Sequence, residues 1–220
     1  MYTLMIWLAL LLASSAQEED PGKAALKRLG ERLKDARTLS AKVVQSRKTA
    51  LLDQPIVSSG TLVYRREPGR LVFRMTDPRV TEIHLDRTAY QVYRPDEKRL
   101  ERIEFADDAG LGRLLMIFEP KADEIGKAFT VRKGESAKGR IEVHLEAVDE
   151  KVKKRMARLS LSLDEADATL RKIVTVDAEG DEVSFELSDL KLNPELDAGA
   201  FELKVPEGTR VLRHAARLEK

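Results

Sequence analysis

The sequence predicts a mainly β fold of the α+β class. The expected architecture is a strongly curved antiparallel sheet forming an unclosed β-barrel, with an N-terminal helix and short lid helices over an apolar cavity. Three observations point there. Between Leu39 and Phe105 six short apolar alternations follow one another, joined by tight turns; period-two alternation gives a sheet one apolar and one wet face. A second run of strands starts at Thr130, bringing the total to about eleven. The few helical stretches are amphipathic and must lie on that apolar face, so the sheet has to curl around them.

The elements follow in order. Met1 to Ala16 carries no charged side chain, Leu4 to Ala13 is an apolar run, and Ser14-Ser15-Ala16 precedes the acidic stretch ending at Asp20. This reads as a secretory signal cleaved after Ala16, although it lacks Lys or Arg, with an uncleaved anchor as the competing reading. The run is shorter than the roughly 20 residues a membrane-spanning helix needs. Residues 17–220 are then read as one domain, long enough for a real core. Asp20-Pro21 is a helix start, and Leu26, Leu29 and Leu33 recur at helical spacing behind it.

The first strand places Leu39, Ala41 and Val43 on one face, and the second, from Val57 to Arg66, pairs Leu62 with Tyr64. After the Pro68-Gly69 turn come Leu71, Phe73 and Met75, then Ile83 with Leu85, Tyr90 with Val92, and Ile103 with Phe105. Such close spacing leaves no room for helical crossovers, so the strands form an antiparallel meander. Leu111, Leu114, Leu115, Ile117 and Phe118 then form a compact helical segment ended by Pro120, read either as core packing or as a lid. A short helix over Ala122 to Lys127 leads to strands at Thr130–Lys133, Arg140–Ala147, Met156–Leu163, Leu170–Val176 and Glu182–Leu190, with a short tail strand at Phe201–Val205.

Composition narrows the function classes. The chain balances 39 Lys and Arg against 38 Asp and Glu, a net charge of +1, which gives no global push toward nucleic acid. With no cysteine there is no disulfide, thiolate chemistry, Cys-ligated zinc or lipidated N-terminal Cys. His84-Leu-Asp86 and His144-Leu-Glu146 each put an imidazole and a carboxylate on one strand face, but nothing supplies a third ligand at a telling spacing. Gly110-Leu-Gly112 lacks the rest of a phosphate loop, and Ser58-Ser59-Gly60 is not a nucleophile elbow. The expectation is therefore no catalytic residue, no metal and no cofactor. The Lys151–Arg155 run reads as a solvated hairpin or strand edge, and the tail from Arg210 as a small basic helix or a frayed end.

Local motifs carry a resemblance. Leu39-Ser-Ala-Lys-Val-Val-Gln45, the hairpin from Ser59-Gly60 through Pro68-Gly69 to Phe73-Arg74, and Val92-Tyr93-Arg94-Pro95 with Lys98-Arg99 occur in the order found in the periplasmic lipoprotein carrier LolA and its relatives. Leu163-Asp164, Leu170 to Ile173, Asp177 to Asp181, Leu192-Asn193-Pro194 and Phe201 to Gly208 are similar to the second half of that family. The resemblance implies an unclosed barrel whose cavity receives lipoprotein acyl chains in the periplasm, without catalysis. It also implies delivery from an inner-membrane transporter to an outer-membrane acceptor. In the family an Arg directly before the hairpin proline ties the lid; here Glu67 stands there and only Arg66, one place upstream, could serve.

On this reading the chain is a monomer, and Leu62, Tyr64, Leu71, Phe73, Met75, Ile83, Leu85, Tyr90 and Val92 line the cavity. Leu26, Leu29, Leu33, Arg66, Leu111, Leu114, Leu115 and Phe118 belong to the lid. Hiding an acyl tail from water is worth about 0.8 kcal/mol per CH₂, so an aliphatic pocket suffices and no sharp motif is expected. Two other readings are an envelope sensor or partner-binding module of the same fold, which a tightly filled cavity would favour, and an exported hydrolase built on His84 or His144.

Overall fold

The computed structural model describes residues 20–105, 115–119, 122–135, 139–148 and 150–215. Helix α1 (Pro21–Leu33) starts where the sequence marks it: the Asp20 carboxylate accepts from the amides of Gly22 (2.8 Å) and Lys23 (3.2 Å). Its Ala25, Leu26, Leu29 and Leu33 are buried. A methyl group on Gly22 would stand 2.9 Å from the backbone of Arg132 and Lys133, so the first turn of α1 rests directly on a strand.

Six strands form the first meander: β1 (Thr38–Lys48), β2 (Ile56–Arg65), β3 (Arg70–Asp77), β4 (Thr81–Asp86), β5 (Ala89–Arg94) and β6 (Arg99–Glu104). After helix α2 (Ala122–Ala128) come β7 (Phe129–Lys133), β8 (Arg140–Ala147), the short helix α3 (Glu150–Arg155), β9 (Arg158–Asp164), β10 (Leu170–Val176) and β11 (Glu182–Leu192). The last described element is β12 (Arg210–Ala215). Antiparallel pairing of β1 with β11 fuses the two runs into one twelve-stranded sheet in the order β12-β6-β5-β4-β3-β2-β1-β11-β10-β9-β8-β7. The outer strands β12 and β7 do not pair with each other, so the long curved sheet stays unclosed. Helix α1 packs against β7 and β8. One apolar cluster joins α1 to the inner face of strands from both halves, including a stacked Phe73–Phe185 pair 5.1 Å apart.

Three expectations need correction. Phe201–Val205 is not a strand. Phe201 instead packs with Ala200, Val72, Val63 and Leu196 in a second cluster on the outer face of β2 and β3, and the Arg65 guanidinium lies 4.5 Å over its ring. That outer face is therefore partly covered, not uniformly wet. The tail forms neither helix nor frayed end over 210–215, because β12 pairs in parallel with β6, from Arg210 opposite Arg99 to Ala215 opposite Glu104. The Lys151–Arg155 run sits in α3, where Val152 is buried and Lys153 pairs with Glu150 one turn back at 2.6 Å.

Candidate functional site

Strand register puts the expected lining residues on one face. Leu62 lies opposite Phe73, Phe73 opposite Ile83, and Ile83 opposite Val92. One row along, Tyr64 faces Leu71, Leu71 faces Leu85, and Leu85 faces Tyr90. Met75 sits across from Gly60 and Thr81. The reason is the pleat: every second residue of each strand shares a face, and the register keeps those residues aligned across the sheet.

Burial divides this face. Leu62, Tyr64, Leu71 and Leu85 are buried in the same cluster as Leu26, Leu29 and Leu33 of α1 and as Leu115 and Phe118. Phe73 is buried against Phe185. Toward the other end the cover stops. There the partly exposed Ile83 and Tyr90, with the still buried Met75 and Val92, line an open hollow of about 420 Å³, together with Ile56, Pro78, Gln45, Ser58, Thr81, Arg47, Arg79 and Arg94. That volume lies in the range of about 300–1,000 Å³ typical of small-molecule sites.

Besides Arg28, which donates to the Glu165 and Ala166 carbonyls at 2.7 and 3.1 Å, and Arg32, which pairs with Asp167 at 3.2 Å, two attachments hold the covering elements. The Arg66 guanidinium donates to the Leu33 and Lys34 carbonyls, each at 2.6 Å. A helix C-terminus leaves such carbonyls without internal partners, and a cation there also meets the negative end of the helix dipole. Arg66 thus fastens α1 to β2 despite standing two residues before Pro68. At the second attachment the Tyr64 ring stacks on Phe118 at 5.0 Å, and its hydroxyl donates to the Glu119 carboxylate. Burial, followed by the hydrogen bond to that carboxylate, raises the Tyr64 pKa well above the ordinary phenol range. Glu119 also lies 3.8 Å from Arg87. Of the residues assigned to the lid from the sequence, Leu111 and Leu114 lie outside the described residues, as does the N-terminal leader.

The histidine pairs fall out differently from their spacing. His84, on the outer face, lies 3.4 Å from Glu82 and not against Asp86, whose carboxylate instead accepts from Thr88 and Ala89. Burial lowers the His84 pKa, with Glu82 opposing. His144 shares a hydrogen bond with the Ser160 hydroxyl at 2.9 Å. Among the described residues no cluster of three or more His, Cys, Asp or Glu could hold a metal ion. No described helix is long and apolar enough to cross a membrane.

Sequence reasoning missed the arginines of the hollow. The available signal was positional: Arg47 continues the alternation Val43, Gln45, and Arg94 continues Tyr90, Val92, so both fall on the inner face. It also missed a second cleft of about 390 Å³ on the outer face, where Arg70, His84, Asp86 and Gln91 face the segment Phe201 to Lys204.

Comparison with known proteins adds family evidence. The family model described as "Outer membrane lipoprotein carrier protein LolA" matches residues 34–204. No curated protein matches the sequence. Among solved structures, an uncharacterized conserved protein from Thermus thermophilus superposes with TM-score 0.52 at 10% identity, over 89% of this chain and 100% of that one. A DUF1329 family protein from Desulfovibrio piger gives TM-score 0.49 at 11% identity, over 83% and 98%. A "putative outer membrane lipoprotein-sorting protein domain" from Vibrio parahaemolyticus gives 0.47 at 13% identity, over 83% and 96%.

Proposed function

Since the chain belongs to the LolA family of outer membrane lipoprotein carrier proteins, we propose that it is a non-enzymatic carrier that shelters acyl chains of lipoproteins or lipids on its concave face. The observation that carries this reading is the apolar row Leu62–Phe73–Ile83–Val92, buried at Leu62 and Phe73 and bordering an open hollow where Ile83 is partly exposed. A buried row alone would be core. A row that runs out of cover into a hollow offers an amphiphile a continuous apolar surface. A tail of about 14–16 carbons gains on the order of 10 kcal/mol when it leaves water, so aliphatic lining without a specific motif is enough to hold it.

The carrier acts in the periplasm as a single domain from residue 17, after removal of the leader behind Ala16, and as a monomer. It takes cargo from an inner-membrane transporter and passes it to an outer-membrane acceptor. Native mass spectrometry of gently purified protein tests the binding step. A co-purifying lipid or acyl-peptide mass, lost in Ile83→Glu, is expected. Ile83 is only partly buried, so this variant tests the hollow without placing a charge in the closed core. A bare protein mass, together with failure to bind an apolar fluorescent probe, would rule the carrier reading out.

A further inference from the structure

The charges of the hollow are all of one sign. Arg47, Arg79 and Arg94 contribute to its lining and no carboxylate does, in a chain where acidic and basic residues are nearly equal in number. The outer cleft shows the contrast, since Arg70 and Lys204 stand there with Asp86 and Glu202.

Nearby glutamates neutralise the arginines only in part. Arg94 pairs with Glu101 at 3.1 Å, and Arg79 reaches Glu97 only at 4.0 Å. Both glutamates are shared with Arg99, which lies 2.9 Å from Glu97 and 3.1 Å from Glu101. Three arginines thus divide two carboxylates, and Arg47 has no ion-pair partner among the described residues. Burial raises the Tyr90 pKa, with Arg47 and Arg94 opposing that pull and Glu101 adding to it. The exposed Arg47 and Arg79 and the half-buried Arg94 thus stand beside an apolar floor of Met75, Ile83 and Val92. Guanidinium groups suit carboxylate and phosphate oxygens because their planar forks can donate two hydrogen bonds at once.

We propose that the concave hollow selects anionic amphiphiles, with Arg47, Arg79 and Arg94 holding a carboxylate or phosphate head and Met75, Ile83 and Val92 receiving the adjoining tail. The proposal rests on the reading of the hollow as an acyl-chain site and adds the headgroup that this site prefers.

Displacement of the uncharged probe N-phenyl-1-naphthylamine tests it on the protein lacking residues 1–16, with competitors that share a fourteen-carbon tail. Myristate supplies a carboxylate, tetradecyl phosphate a phosphate, and tetradecanol no charge. Both anions should displace the probe at concentrations about tenfold below that of the alcohol, as expected for one charge-assisted contact. The ratio between the two anions tells a fatty-acid head from a phosphate head. In the Arg47→Gln/Arg94→Gln double variant the anion preference should vanish while tetradecanol competes as before. Raising the salt should also shrink the preference in the unaltered protein. Equal displacement by all three competitors, or a preference unchanged in the double variant, overturns the proposal and leaves the carrier reading standing. Failure of the probe and of every competitor to bind overturns both.

Discussion

Replacing Arg66 by Ala removes both hydrogen bonds that fasten the C-terminus of α1 to β2. Each is 2.6 Å long and ends on a carbonyl of the last helical turn, Leu33 or Lys34. Hydrogen bonds to a charged donor contribute about 1.5–3 kcal/mol when well shielded. Arg66 is only partly buried, so water can replace part of each bond, and about 1 kcal/mol apiece is the appropriate figure. The expected loss is about 2 kcal/mol, felt locally because the buried leucines of α1 remain in place. In amide hydrogen exchange that corresponds to roughly 30-fold faster exchange for the last turns of α1. The strands of the second meander should exchange as before. Arg66→Lys should fall between, since an ammonium can reach one carbonyl but lacks the fork that spans two. If α1 exchanged at the same rate in Arg66→Ala as in the unaltered protein, the two bonds would hold nothing, and the attachment of α1 would have to be assigned to its apolar contacts and to Arg28 and Arg32 on the 165–167 turn.

Two further perturbations test other parts of the structure. A Cβ at Gly60 would lie 2.0 Å from the Arg74 carbonyl oxygen and 2.7 Å from the Met75 Cα, so Gly60→Ala must force β2 and β3 apart at the edge of the hollow. A cost of about 3 kcal/mol, read as a Tm lowered by about 6–12 °C, is expected; a shift under about 2 °C would show that the strand pair yields freely. The His84 pKa is lowered, chiefly by burial, with Arg74 and Arg70 adding to the effect and Glu82 opposing it. Its contribution to stability is therefore fully present above the ordinary imidazole value of about 6.5 and is lost as pH falls through the lowered folded-state value. Urea midpoints should drop more between about pH 7.5 and about pH 5 in the unaltered protein than in His84→Gln, and equal drops would refute the assignment.

Much of this fold was legible because it rests on local patterns. Asp20-Pro21 announces α1 through the capping of free amides, and alternation fixes which face of each strand carries Leu62, Phe73, Ile83 and Val92. The misses share a different cause. Phe201 is a single aromatic in an irregular segment, with no period to reveal that it covers the outside of β3. β12 is held by backbone pairing with β6 while Val211 remains 45% exposed, so its side chains carry no burial signal. The tie through Arg66 depends on a guanidinium reaching helix carbonyls 32 and 33 residues earlier in the chain, a distance that no local pattern encodes.

The division between core and hollow was illegible for a more general reason. Leu71 and Ile83 have the same apolar character, occupy adjacent strands and point to the same side of the sheet, yet one is closed over and the other borders open space. What separates them is coverage. Leu71 belongs to the part of the cluster that contains α1 and the 115–118 turn, and Ile83 borders a hollow lined by strand residues and the Pro78-Arg79 turn. Periodicity reports which way a side chain points, but it carries no information about what lies above it. That information resides in contacts between distant segments, here including Arg66 on the end of α1, Arg28 and Arg32 of α1 on the 165–167 turn, and Tyr64 on Glu119. A carrier needs this separation, because a face covered everywhere has no room for cargo and a face covered nowhere cannot keep a tail dry. On the proposed carrier reading the same apolar row is core where it is covered and binding surface where it borders the hollow, and the ties of α1 and of Glu119 mark where the cover is fastened.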